Sequence, residues 1–102
     1  MILYNVTVMI DAIIHHDWLD WMQHSHIPDV MRTGMFQSYR LCRLLDPEPE
    51  DGSITYAVQY FCEDLNKLHL YAEKYAPALQ AQHSNRYRNQ FVAIRTVLEI
   101  VS

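Results

Sequence analysis

Residues 18–39, WLDWMQHSHIPDVMRTGMFQSY, change their hydrophobic period partway, and that change decides the fold class. Leading into this stretch, Ile14, Trp18, Trp21, Met22 and Ser25 recur at the three-and-four spacing of one helix face, while Asp17, Asp20 and Gln23 take the other side. Pro28 has no N–H to give the carbonyl of His24, and its ring disfavours helical geometry at Ile27, so the helix is expected to bend or restart there. PDVMRT then reads as a short extra turn, opened by Pro28 and closed by Gly34 in a left-handed conformation. From Phe36 to Leu45 the period falls to two, which predicts a strand.

Upstream, Ile2 to Ile10 is rich in β-branched residues and predicts a first strand. Its even positions (Ile2, Tyr4, Val6, Val8, Ile10) are more apolar than its odd ones (Leu3, Asn5, Thr7, Met9). Downstream, the acidic DPEPEDGS at 46–53 is an exposed connection, followed by a third strand from Ile54 to Phe61. Asp64 is placed to cap a second helix, whose expected core stripe is Leu65, Leu68, Ala72, Tyr75 and Leu79, interrupted at Pro77 as the first helix is at Pro28. Gln90 to Val101 predicts the last strand, with Val92, Ile94, Leu98 and Ile100 as its core face. The order βαββαβ is that of a ferredoxin-like split βαβ, an α+β domain over residues 1–102 with a four-stranded antiparallel sheet and two helices on one face.

Composition narrows the function classes. The formal charge is −4, from 8 Lys and Arg against 12 Asp and Glu, with no basic run, which argues against a nucleic-acid partner. No stretch approaches the ~20 apolar residues of a membrane span. MILYNVTVMI at the start lacks a basic region and a small-residue cleavage site, so no signal peptide is expected. Cys42 and Cys62, too far apart in sequence for a zinc knuckle, read as free thiols of a reduced, cytoplasmic protein.

Centring the acidic connection near residues 49 and 50 pairs Tyr39 with Tyr60 and Leu41 with Val58 under the helices. The same register pairs Arg40 with Gln59 and Cys42 with Ala57 on the second face, and a slip of one residue would mix the two sets. That second face is expected to carry Leu3, Met9, Leu44, Phe61, Phe91, Ala93 and Val97 together with Asn5, Arg40, Gln59 and Arg95. Helices cover only one side of such a sheet, so a second copy is expected to cover the other, enclosing the polar groups in a homodimer.

The layout resembles the dimeric α+β barrel superfamily, and Trp18, His26, Pro28, Gly34 and Tyr39 follow a pattern similar to EthD-type barrels. More closely, YNVTV at 4–8, HIPDVM at 26–31, TYAVQYFC at 55–62 and YAPALQAQH at 75–83 resemble a family of short bacterial proteins, mostly from Bacteroidetes, catalogued only as a domain of unknown function. The resemblance implies the fold and the homodimer, and it brings no activity.

His26, just ahead of the proline break, is the candidate catalytic residue, since imidazole titrates near neutrality and barrel relatives turn a helix-end histidine toward the cavity. The competing role is a cap on a carbonyl of the broken helix. Asn5, Arg40, Gln59 and Arg95 are the candidate ligand-binding residues. Buried polar groups need partners, which a polar ligand, their own cross-strand pairing or buried water would supply. His15, His16, His24 and His26 lack the spacing of three or four that helical metal ligands require, so neither a metal nor a cofactor is expected. Trp18 and Trp21 read as helix packing.

Three functions follow. The first is a small-molecule barrel that binds, and in its stronger form transforms, a compact ligand without a metal, with His26 as base and Asn5 or Arg40 on an oxyanion. The second is a non-catalytic dimer module with a self-filled barrel. The third is a haem-binding or haem-degrading barrel: such barrels resemble this layout, with a strand-one asparagine and a helix-two histidine as axial ligand, which implies Asn5 and His83 near Tyr71.

Overall fold

The alternation of Ile2–Ile10 does what its composition requires: even-numbered side chains turn inward and form the middle of the core. A computed structural model describes residues 1–102. It contains β1 (Ile2–Ile10), α1 (His15–Trp21), α2 (Ile27–Arg32), β2 (Ser38–Arg43), β3 (Ile54–Cys62), α3 (Leu65–Lys74), α4 (Ala76–Arg86) and β4 (Phe91–Glu99). All pairings are antiparallel and the strand order is β2-β3-β1-β4, the ferredoxin-like arrangement expected from the sequence. The β2–β3 register is the expected one, with Tyr39 opposite Tyr60, Arg40 opposite Gln59 and Cys42 opposite Ala57.

The first helical arm restarts next to Pro28 as expected, through a wider turn that joins the two α-helices without a gap. Between α1 and α2 the chain makes a π-turn over Met22–His26, and the N–H of Ile27 reaches back to the carbonyl of Met22. Pro28 falls in the first turn of α2, where a missing N–H costs least, and Ile27 keeps helical angles despite preceding it. The wider turn slips the phase of the buried stripe. Trp18 and Met22 are four apart, but the next buried residue is Ile27, five further on, then Val30. Ser25, expected on the stripe, is therefore exposed. Burying side chains of this size contributes roughly 1.5–3 kcal/mol each. Gly34, with φ of +76°, ends the arm as expected.

The second arm starts at Asp64, whose carboxylate accepts from the Lys67 N–H as expected. It restarts at Pro77 as α4. Its buried side is Leu68, Tyr71, Ala76 and His83, whereas Leu65 and Ala72 face outward.

β4 departs from expectation by parity. Phe91, Ala93, Arg95 and Val97 pair with Ile10, Val8, Val6 and Tyr4 and so lie on the helix side. Val92, Ile94, Thr96 and Leu98 face the open side. The anchor is Phe91, whose ring meets that of His83 at 4.5 Å under α4. Aliphatic density misleads here because β4 is an edge strand that the helices barely cover, and even inward-facing Val97 is 53% exposed. The open face thus runs in rows across the sheet. Ser38, Phe61, Leu3 and Leu98 form one, Arg40, Gln59, Asn5 and Thr96 the next, and Cys42, Ala57, Thr7 and Ile94 a third.

Candidate functional site

The titratable groups converge on the helix side, not on the open face. A cavity of about 40 Å³ lies between the sheet and both arms. Its apolar floor includes Val6, Val8 and Val58, and its polar lining is Tyr4, His26, Tyr60, Tyr71, Gln80, His83 and Arg95. Two aromatic clusters flank it. Tyr4, Phe36, Tyr60 and Tyr71 pack at one end, with Phe36 5.0 Å from Tyr60 and 4.8 Å from Tyr71. Trp18, Trp21, Tyr87 and Phe91 surround the histidines at the other.

The π-turn carries His26, its last residue, to the cavity. Its ring centroid is 5.1 Å from Trp21 and 5.7 Å from His83. Nδ1 of His26 is buried and makes no hydrogen bond. Burial lowers its pKa to about 4, against a weaker opposing pull from Asp29 and with a further push from Arg95. His83 is also held near 4, first by burial, then by His26 and Arg95. Trp18 donates its indole N–H to Nε2 of His83 at 2.8 Å, which fixes the proton of the neutral ring on Nδ1. At neutral pH the cavity therefore holds two uncharged imidazoles. Burial likewise raises the phenols of Tyr4 and Tyr71, with Arg95 acting the other way, and both stay protonated.

Of the residues singled out in the sequence, the structure brings His26, His83 and Arg95 together. The expectation that Arg95 shares a face with Asn5, Arg40 and Gln59 is corrected by the parity of β4. Those three lie in one row on the open face. There the Asn5 amide donates to Thr7 Oγ1 at 3.0 Å and to Thr96 Oγ1 at 3.4 Å, which accounts for a mid-strand asparagine. Arg40 lies over the Phe61 ring at 5.1 Å. His15 pairs with the Tyr56 hydroxyl at 3.1 Å, and its ring lies 4.0 Å from that of His16. His24 pairs with Asp20 at 3.0 Å, so His15 and His16 meet but the four N-terminal histidines do not converge on one site.

An Asn5–His83 haem site does not fit this geometry. The two residues lie on opposite sides of the sheet, and the Nε2 of His83 is already engaged by Trp18. Sequence reasoning missed Tyr4 and Gln80 as lining residues and missed the Trp18–His83 bond altogether. Tyr4 had a usable signal, a hydroxyl within an apolar alternation. The bond had none, since it joins residues 65 positions apart.

Solved structures share this fold at low sequence identity. A variant of MhuD with two manganese protoporphyrin IX molecules per active site superposes with a TM-score of 0.74 at 18% identity, covering 100% of this chain and 96% of that one. An ethyl tert-butyl ether d (EthD) family protein from Bacillus halodurans c-125 gives 0.68 at 9% identity over 99% and 100% of the two chains. A dimeric ferredoxin-like protein from an uncultured marine organism gives 0.60 at 9% identity over 99% and 94%. At these identities the likeness is one of fold. No curated protein matches the chain in sequence. Residues 1–101 match the family described as Domain of unknown function (DUF4286), and the chain belongs to that family.

Proposed function

We propose that this domain binds a small organic molecule between its sheet and its helices, as a homodimer closed through the open face. The observation that carries the ligand reading is Nδ1 of His26, a buried polar atom at a cavity with no partner. Such atoms are rare in folded proteins, and a ligand group or an ordered water supplies the missing bond. His26 is the residue proposed to act on the ligand and Arg95 the one that holds it. Asn5, Arg40 and Gln59 line the space that a second copy encloses, where the bonds of Asn5 to Thr7 and Thr96 favour a self-satisfied interface over a second ligand site.

Size supports a compact ligand. The cavity of about 40 Å³ adjoins a groove of about 250 Å³ between β4 and the α3–α4 arm, and the two share Tyr4, Tyr71 and Gln80. Together they reach the lower end of small-molecule sites, at roughly 300 Å³. With its pKa near 4, His26 is a hydrogen-bonding group and a weak base in the free protein; negative charge on a ligand would lift it toward the range useful for proton transfer.

A fragment screen by two-dimensional NMR tests the site. Hits should first move the amides around His26, His83 and Arg95, and His26→Ala should weaken them about tenfold while the fold stays intact. Hits clustered on the open face, or affinities unchanged in the variant, would sink the reading.

A further inference from the structure

Arg95, exposed to solvent on β4, turns toward the mouth of the cavity without a carboxylate beside it. It makes no ion pair with any carboxylate, and no aspartate or glutamate lines either the cavity or the adjoining groove. The titratable groups lining the cavity with it are the neutral rings of His26 and His83 and the protonated phenols of Tyr4, Tyr60 and Tyr71, none of which can neutralise it. In a chain of net charge −4 this is an isolated positive spot beside a largely apolar channel. Along that channel Leu65, Leu68, Ala72, Ala76, Pro77 and Val97 present hydrocarbon, with His69 the other basic side chain. A guanidinium on one side and an apolar groove on the other select for a molecule of the same polarity.

We propose that the ligand is an amphipathic organic acid, its carboxylate on Arg95 and its apolar body in the groove between β4 and the α3–α4 arm. This rests on the small-molecule site proposed above and names the class it takes. A water-sized group occupies about 30 Å³, so a groove of about 250 Å³ holds a body of roughly eight non-hydrogen atoms. The carboxylate forms charge-assisted hydrogen bonds with the guanidinium, and the body replaces water along Leu65 and Val97.

Octanoate, 1-octanol and octylammonium differ only at the head group and separate the possibilities by calorimetric titration of the full chain. Octanoate should bind at least tenfold more tightly than octanol, and octylammonium more weakly than either. Arg95→Gln should bring octanoate down to the level of octanol, and Arg95→Lys should restore part of the preference, a rescue that a merely structural role would not produce. Equal binding of octanoate and octanol by the wild-type protein, or an unchanged preference in Arg95→Gln, overturns the acid while leaving the small-molecule site standing. Failure of all three to bind, together with no fragment hits at the cavity, overturns both.

Discussion

Two imidazoles 5.7 Å apart, both with pKa near 4, make the cavity a pH-sensitive part of the molecule. In the unfolded chain each titrates near 6.5, so between 6.5 and 4 the unfolded state binds more protons than the native one. Stability should therefore be highest above pH 6.5 and fall as pH drops through that window, with no further loss from these rings below 4. One pKa unit corresponds to about 1.4 kcal/mol, and a discount for partial exposure leaves on the order of 2 kcal/mol per ring. Urea midpoints between pH 7 and 5, above the range of ordinary carboxylates, read this directly; a flat profile there would mean that the rings are not held neutral. At this scale the sequence was half legible. His26 could be chosen from its place before Pro28, but its neighbour His83 is brought in by α4 and Trp18, through contacts with no local signature.

Among the elements, the first helical arm shows most clearly what a sequence pattern omits. The proline and the glycine were both visible, and both act as expected at the ends of α2. The π-turn was not, because the three-and-four spacing of Trp18, Trp21, Met22 and Ser25 is satisfied equally by an uninterrupted α-helix. Only tertiary packing of Ile27 and Val30 chooses the wider turn, and that choice delivers His26 to the cavity. Gly34 offers a clean test of backbone cost. A Cβ there would meet no atom within 4 Å, so Gly34→Ala adds only the strain of a left-handed alanine. We expect a loss of about 1 kcal/mol in urea unfolding with ligand binding unchanged. A much larger loss would show that the turn also constrains α2.

At the scale of the whole molecule, the open face is the main uncovered apolar surface. Val92, Ile94 and Leu98 are 57%, 51% and 47% exposed in the single chain, a stripe of the sort that soluble proteins cover. Light scattering should give about twice the 12.1 kDa chain mass, and Ile94→Lys should shift it toward one chain at micromolar concentration. A wild-type protein that runs as a single chain would overturn the homodimer. The sheet order and the hairpin register were legible because two strands alternate cleanly and the acidic connection fixes their offset. The parity of β4 was not, since the rule that the greasier face lies inside assumes a covered strand, and β4 is covered chiefly near Phe91.

The pairing of β1 with β4 also sets the order in which the chain can be completed. β1 lies at the centre of the sheet, yet one of its two neighbours is β4, so that Ile2 meets Glu99 and Leu3 meets Leu98. Contacts of such long sequence separation slow folding, because most of the chain must be confined before any of them is rewarded. On the ribosome, β1 can form its pairs with β3 early but carries a bare edge until residues 91–99 emerge. During that interval the most apolar strand of the protein is open to pairing with other chains. The β1–β4 ladder is therefore expected to be the last part of the sheet to close, and the bare edge of β1 the place where a slow-folding chain would meet others.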